Sequence, residues 1–344
     1  MAASVRRRIL FRVGLLALTG VSIYLLAPSL LEIFSEWPQL RRLDLLWVAL
    51  AVFFEVMSSG AYWSLQRIAF RTRSWFAVGT SQLAGSAAGK VVPGGSAAAT
   101  ALQYRMLVRA GIPAPRVGSG LAASWAATTA AALALPVLGL LAALGGAAVP
   151  KGLRNVAYLG GAAFLLLAVF GLLSLFFDRP LRLVGNAIRA CAGLFGKRRR
   201  FEELSERLLR ERDALRHTFA AHPLLAILGA VGKWGFDYVA LLCVLAALSL
   251  RPEPALVLLA FASASLLGMI PLTPGGLGFV EAGLAGLLVL AGVEAGDAAV
   301  ATLAYRLVSF WLPLPVGAAA WWLARRRYGP SEAAPSAAMT AASS

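Results

Sequence analysis

Residues 268 to 283 read GMIPLTPGGLGFVEAG, in the middle of a strongly apolar stretch. A continuous membrane-spanning helix gains nothing from Pro274, Gly275 and Gly276, because proline removes a backbone donor and glycine costs conformational entropy. A carboxylate, Glu281, follows Pro274 by seven residues. The stretch therefore predicts a helix that is interrupted beside an ionisable side chain.

The composition indicates a polytopic, all-α membrane protein. Hydrophobic residues make up 59% of the 344 positions and charged residues 14%, and apolar runs of about 20 residues recur along the chain, enough for a helix to cross a bilayer. The two cysteines and two histidines lack the spacing of a metal or redox site, so we expect no cofactor and no metal. The net charge of +16 lies mostly in loops, which favours an anionic membrane surface over nucleic acid.

We expect about six full spans and two helical hairpins broken at Pro-Gly-Gly. The full spans are predicted at 9–34, 45–65, 117–145, 156–177, 224–250 and 298–323. The broken segments cover 75–110 and 255–292, and each fits either a re-entrant hairpin or two short spans. Segment 9–34 is too long for a signal peptide, and we interpret it as a retained first helix.

Basic residues collect in alternate loops, and the largest group, eleven of the 32 Lys and Arg, lies between 179 and 216. Because cytoplasmic loops of membrane proteins carry the excess of Lys and Arg, both termini are predicted to be cytoplasmic. The chain then divides into one membrane domain over 1–328, with a first half at 9–177, a basic amphipathic linker at 178–222 and a second half at 223–328, and a disordered tail at 329–344. The linker is expected to rest on the inner leaflet or to bind anionic lipid there.

The Pro-Gly-Gly motif occurs twice, as Pro93-Gly94-Gly95 and, 181 residues later, as Pro274-Gly275-Gly276. An odd number of predicted spans separates the copies, so the two halves would have opposite orientations. Interrupted helices in inverted halves are typical of a transporter site near the membrane midplane, where free backbone N–H groups bind an anionic group. The alternative is close helix packing through small residues.

Six charged residues lie in the interior of the apolar segments, away from the segment ends. They are Glu55, Lys90, Lys233, Asp237, Glu281 and Arg306. Since a charge at the bilayer centre costs roughly 3 kcal/mol, these side chains should face inward, paired or hydrated. Lys233 and Asp237, one turn apart, predict a local ion pair. Glu281 and Arg306 are favoured as functional groups, with Lys90 as either their counterpart in the first hairpin or a fixed structural charge.

The segments PLTPGGLGFVEAG (271–283), AYRLVSFWLPLPVG (304–317) and GKVVPGGSAAATALQYRMLVRAGIP (89–113) resemble the flippase-like membrane domain of lysylphosphatidylglycerol synthases and the stand-alone membrane proteins of that family. The resemblance extends over roughly 10–327. Its motif positions are Pro274, Gly275, Gly276, Gly278, Glu281, Tyr305 and Arg306. Thr100 stands where the repeat would place a counterpart of Glu281, so a symmetric pair of acids is not expected.

The resemblance implies a multi-pass protein of the cell membrane that moves a lipid between leaflets. In the full-length relatives a soluble domain after the membrane part makes an aminoacylated phosphatidylglycerol. Only 17 residues follow Arg327, so we expect no synthase activity. The expected partners are membrane lipids, namely an anionic or aminoacylated phospholipid or a polyprenyl-phosphate lipid, and the sequence leaves a homo-oligomer open.

The candidate substrate-binding residues are Arg105, Pro274, Gly275, Gly276, Glu281, Tyr305, Arg306, Pro93, Gly94, Gly95, Glu55, Asp237 and Lys90. Arg105, near the inner end of the first hairpin, is expected either to attract an anionic headgroup or to act as an ordinary cytoplasmic anchor. Two further hypotheses compete with lipid transport: a membrane enzyme acting on a lipid-linked substrate, and a non-transporting scaffold that binds a partner through its basic loop.

Overall fold

The computed structural model describes residues 43–92, 95–144, 177–194, 222–268 and 276–329, with isolated positions at 158–174 and 206–219. The regular elements of these residues are helices: α1 Leu45–Phe70, α2 Trp75–Val91, α3 Gly95–Arg109, α4 Ala114–Leu144, α5 Arg179–Leu194, α6 Pro223–Ala247, α7 Pro254–Gly268, α8 Phe279–Leu290, α9 Ala295–Arg306, a π-helical segment Leu307–Trp311 and α10 Pro313–Tyr328. The predicted helix at 9–34, most of the span at 156–177 and the tail beyond Gly329 lie outside the described residues.

Among the described residues, four helical stretches are long and apolar enough to cross a membrane: Leu45–Phe70, Ala114–Val137, Pro223–Ala247 and Ala295–Tyr328. They coincide with four of the six predicted full spans. The last stretch joins α9, the π-helical segment and α10 without a loop. The all-helical membrane class is therefore confirmed, while the total number of spans and the side of the termini remain predictions.

Local capping explains how the chain reverses between α1 and α2. Arg71 adopts a left-handed conformation, with φ of 50°, and its N–H donates back to the carbonyls of the last turn of α1. Three residues later the hydroxyl of Ser74 accepts a hydrogen bond from the N–H of Ala77, at 3.1 Å. One cap ends α1 and the other starts α2.

The first broken segment is an antiparallel hairpin of α2 and α3. A methyl group at Gly95 would lie 1.7 Å from the carbonyl oxygen of Gly89, and one at Gly85 would lie 3.0 Å from that of Ala99. The two helices thus meet backbone to backbone beside the break, at a separation that only glycine permits. Gly95 has this packing role whatever else it does, whereas Pro93 and Gly94 lie outside the described residues.

The second broken segment, α7 and α8, folds back in the same way. A methyl group at Gly283 of α8 would lie 2.9 Å from the side chain of Leu267 in α7, and Gly268 faces Val280. Residues 269–275, which include Pro274 and Gly275, lie outside the described residues. Both Pro-Gly-Gly segments therefore join short helices that pack against each other.

Helix order and packing relate the two halves of the chain. The order long, short, short, long describes α1 to α4 and recurs in α6 to α10. The two first helices, α1 and α6, pack along each other. The hairpin helix α2 packs on α10, and α7 packs on α4. Each hairpin is thus supported by the last helix of the other half.

Small residues allow these helices to approach closely. A methyl group at Gly229 of α6 would lie 3.0 Å from the carbonyl oxygen of Ala61 in α1, and one at Gly317 of α10 would lie 2.5 Å from that of Leu83 in α2. Such contacts are the main source of helix association in a bilayer, where there is little hydrophobic gain from burying one apolar helix on another. Close helix packing through small residues, the alternative considered in the sequence analysis, therefore does occur at these crossings.

The crossing of α2 and α10 predicts the effect of a single methyl group. We expect Gly317→Ala to destabilise the protein by roughly 1–3 kcal/mol, because the Leu83 backbone cannot move aside. Gly286→Ala is the matched control, since Gly286 of α8 is exposed with open space around it. Thermal unfolding of the purified variants measures both. Equal stability of the two variants would contradict this packing.

Candidate functional site

The six charged residues of the apolar segments belong to both halves of the chain. They are Glu55 on α1, Lys90 on α2, Lys233 and Asp237 on α6, Glu281 on α8 and Arg306 on α9. We call them the central charge cluster. Glu55 is close enough to Asp237, Lys233 and Lys90 to interact with them electrostatically. Lys90 interacts with Arg306 in the same way. Because the set contains as many acids as bases, its formal charge is zero, which suits a low-dielectric interior.

Glu281 and Arg306 form a buried ion pair. The Nε of Arg306 donates to Oε1 of Glu281 at 2.6 Å, and their side chains are only 11% and 10% exposed. Glu281 lies in the first turn of α8, where the positive end of the helix dipole also favours a carboxylate. Its second oxygen, Oε2, is buried and has no hydrogen-bond partner among the described residues. One oxygen of the pair can therefore accept from a further donor.

Two glycines place Glu281 in that first turn. Gly276 and Gly278 have φ of 72° and 76°, values that side-chain-bearing residues rarely adopt. A methyl group at Gly276 would also lie 2.6 Å from Cγ2 of Val280. These residues turn the chain directly before α8 begins at Phe279. Gly276, which was predicted to bind substrate, thus has a conformational task together with Gly278, and the turn they form orients the acid.

Lys90 connects the first hairpin to the last helix of the second half. Its Nζ donates to the carbonyl oxygens of Ser309, at 2.8 Å, and Phe310, at 3.3 Å. Pro313 lies four residues after Ser309 and has no N–H to donate to that carbonyl as an α-helical residue would. The ammonium group takes the place of the missing donor. Lys90 therefore bonds to backbone of the other half.

The π-helical segment Leu307–Trp311 sets the direction of these groups. The N–H of Leu312 donates to the carbonyl of Leu307 at 2.9 Å, one residue further back than in an α-helix, and such insertions are frequent at functional sites. The ring of Phe310 lies 4.3 Å from the guanidinium carbon of Arg306 and 5.1 Å from Nζ of Lys90. One aromatic ring thus contacts two cations.

The other charged pair lies within α6. Lys233 forms an ion pair with Asp237 one turn later, as predicted, and its ammonium lies 4.2 Å from the ring centre of Trp234. Oδ1 of Asp237 and Oε2 of Glu55 are buried without a hydrogen-bond partner among the described residues. The acids on α1 and α6 therefore also retain acceptor capacity.

A cavity of about 250 Å³ lies beside the ion pair, between α6, α7, α8 and the π-helical segment. It is lined by Trp234, Phe261, Ala264, Ser265, Gly268, Val280, Leu284, Tyr305, Arg306 and Ser309. Aromatic rings form one wall, with the Phe261 and Tyr305 centroids 6.5 Å apart, and Arg306 and Ser309 supply polar groups. Such a cavity can take an anionic group at the guanidinium and an ammonium or apolar group at the rings.

Sequence reasoning missed Trp234, Phe261 and Ser309 as cavity residues. Aromatic residues are common in membrane helices, and no spacing along the chain brings α6, α7 and the π-helical segment together. The candidates Tyr305 and Arg306 do line the cavity, and Glu281 contacts Arg306. The signals that selected them were the charges of Glu281 and Arg306 within apolar segments and the motif positions of the family that the sequence resembles.

The first hairpin has a different polar contact. Thr100 is exposed, and its hydroxyl donates to the carbonyl of Ser96 in its own helix at 2.7 Å, so this hairpin has no acid at the position matching Glu281. The amide of Gln103 donates to that of Gln66 at 3.0 Å, and both residues are buried. Arg105 is exposed on α3 and does not line the cavity. The two hairpins are therefore not chemically equivalent.

A double-mutant cycle tests the role of Lys90. We expect Lys90→Met to leave the Ser309 carbonyl without a donor, at a cost of about 1–3 kcal/mol in the free energy of unfolding. In a Pro313→Ala background, the backbone N–H restored at position 313 donates to the Ser309 carbonyl. The cost of Lys90→Met in the free energy of unfolding should then fall by about 1 kcal/mol. Thermal unfolding of the four proteins measures the coupling. Pro315→Ala is the control background; an equal loss in all backgrounds would show that Lys90 stabilises the fold in another way.

Comparison with known proteins gives the family. The model of the lysylphosphatidylglycerol synthase TM region matches residues 9–317. A UPF0104 membrane protein of Methanothermobacter thermautotrophicus (strain Delta H) is 47% identical over 60 residues, which cover 17% of this chain and 18% of that protein. No solved structure matches the chain. Since the family match includes both hairpins and the whole central charge cluster, the protein belongs to the family of lysylphosphatidylglycerol synthase transmembrane regions.

Proposed function

We propose that the protein moves a lipid between the leaflets of the cell membrane without altering it and without ATP. The headgroup binds in the cavity beside Arg306 and Glu281. One observation carries the proposal: a buried ion pair adjoins a cavity where a helix is interrupted, and Oε2 of Glu281 accepts no hydrogen bond from the described residues. Such interruptions mark the binding sites of many transporters.

The chemistry of the cavity favours a headgroup that carries a phosphate. A guanidinium presents its donor hydrogens in a planar fork, and the guanidinium of Arg306 lines the cavity. The fork matches phosphate oxygens. In an aminoacylated lipid, the added ammonium group would face Glu281 Oε2 and the ring of Trp234 or Tyr305. The site accordingly suits an anionic or aminoacylated phospholipid, or a polyprenyl-phosphate lipid.

The short helices of the two hairpins favour a lipid path near the membrane midplane. The helices α2, α3, α7 and α8 contain between 12 and 17 residues, which gives lengths of about 18–26 Å at 1.5 Å per residue. This is less than the roughly 30 Å of the hydrocarbon core. Both hairpins are therefore proposed to be re-entrant, in halves of opposite orientation with both termini cytoplasmic. The reciprocal packing of each hairpin on the last helix of the other half supports a repeat of the two halves.

Leaflet exchange tests this function. Purified protein in liposomes should accelerate the exchange of fluorescent phosphatidylglycerol. Arg306→Ala and Glu281→Gln should each lower the rate at least about tenfold, because the contact of Arg306 with the headgroup is worth about 1.5–3 kcal/mol and Glu281 orients its guanidinium. Glu294→Gln, an exposed acid outside the cluster, is the matched control and should exchange normally. A parallel assay with phosphatidylcholine measures headgroup selectivity.

Loss of exchange in a single variant could also follow from an unpaired buried charge that destabilises the fold. The double variant Glu281→Gln with Arg306→Gln removes both charges at once. We expect it to regain most of the thermal stability lost in the single variants and still to lack exchange. Normal exchange by the double variant would show that the pair is only structural and would overturn the proposed site.

A further inference from the structure

A second cavity lies at the basic end of the groove between α1 and α6. Its volume is about 710 Å³, within the usual range for sites that bind small molecules. In the part of the chain that the structure describes, it shares no lining residue with the cavity beside Arg306. The helix ends that form it, where α1 stops and α6 starts, are those that the distribution of basic residues assigns to the cytoplasmic side.

The lining of this groove changes from apolar to basic along its length. The basic end consists of Arg67, Arg71, Arg73 and His222, and no carboxylate is among the described residues that line the cavity. Toward the membrane, Leu225 and Leu228 border the groove and are 53% and 56% exposed. A ligand that fills the groove would place an anion at one end and a hydrocarbon chain at the other.

The guanidinium group of Arg67 is positioned to bind an anion. Its guanidinium carbon lies 4.0 Å from the ring centre of Trp75, a stacking contact that fixes the plane of the group. The Nε of Arg67 is buried and has no hydrogen-bond partner among the described residues. A buried donor of this kind is costly without an acceptor, and a phosphate oxygen would supply one.

Close helix packing forms the floor of the groove. A methyl group at Gly229 would lie 3.0 Å both from the carbonyl oxygen of Ala61 and from Cβ of Leu65. The hydroxyl of Ser64 is already bonded to the carbonyl of Gly60, at 2.9 Å. The floor is thus narrow and its polar groups are satisfied, so the basic end is where a ligand finds hydrogen-bonding groups.

We propose that this groove binds one anionic phospholipid of the cytoplasmic leaflet, with its phosphate at Arg67 and Arg73 and an acyl chain along Leu225 and Leu228. The inference does not depend on the transport function. It concerns a bound lipid at the joint between the two halves, whereas the transported headgroup is assigned to the cavity beside Arg306.

Native mass spectrometry of the full-length protein in detergent tests the proposal, with dioleoylphosphatidylglycerol and dioleoylphosphatidylcholine as probes. We expect one phosphatidylglycerol that binds more tightly than phosphatidylcholine. The double variant Arg67→Gln with Arg73→Gln should weaken its binding at least about tenfold, the loss expected when charged hydrogen bonds are removed. Arg116→Gln, an exposed arginine on α4, is the matched control and should bind normally.

Two further variants separate loss of lipid binding from failure to fold and from loss of leaflet exchange. If the double variant fails to fold, Arg73→Gln alone carries the test, since Arg73 is exposed in a turn. The variant Glu281→Gln with Arg306→Gln should retain this lipid even if it lacks leaflet exchange. Equal binding of the two lipids, or undiminished binding in the arginine variants, would overturn the proposal. So would glycerol phosphate alone binding as tightly as the lipid, because the site would then take a soluble anion.

Discussion

The ion pair between Arg306 and Glu281 joins the end of α9 to the start of α8 in a part of the protein where neither charge could remain alone. Removing one partner of a buried pair typically costs about 3–5 kcal/mol, because the other charge is left without compensation. The pair thereby fixes the second hairpin relative to the last helix. The cavity owes its shape to that constraint, since residues from both sides of the break and from the π-helical segment line it.

The same requirement explains the rest of the central charge cluster. In a bilayer, backbone groups freed by a proline or a break must find partners within the protein. Lys90 does this for the carbonyl of Ser309, and in doing so it connects the first hairpin to the second half. The ring of Phe310 lies against both Lys90 and Arg306. The charges therefore serve the fold and, on the proposed function, the headgroup as well.

Much of this could be predicted from the sequence because the bilayer permits few solutions. The lengths of the apolar runs predicted four of the spans, and the two Pro-Gly-Gly motifs predicted the positions of both helix breaks. The cost of intramembrane charge selected Lys233 and Asp237, which do pair. What could not be predicted depends on contacts between segments remote in the chain: the wall of Trp234 and Phe261, and the bond from Lys90 to Ser309. The π-helical segment has no clear sequence signature, although the nearby Pro313 explains why an extra donor is needed there.

Photo-cross-linking would show whether a lipid headgroup enters the cavity beside Arg306. Phosphatidylglycerol with a diazirine on its headgroup would be incorporated into liposomes with the protein, irradiated, and the adducts mapped by mass spectrometry. If the headgroup binds there, we expect adducts at Trp234, Phe261 or Ser309, and these adducts should be lost in Arg306→Ala. Adducts absent from these residues, or unchanged in that variant, would contradict it.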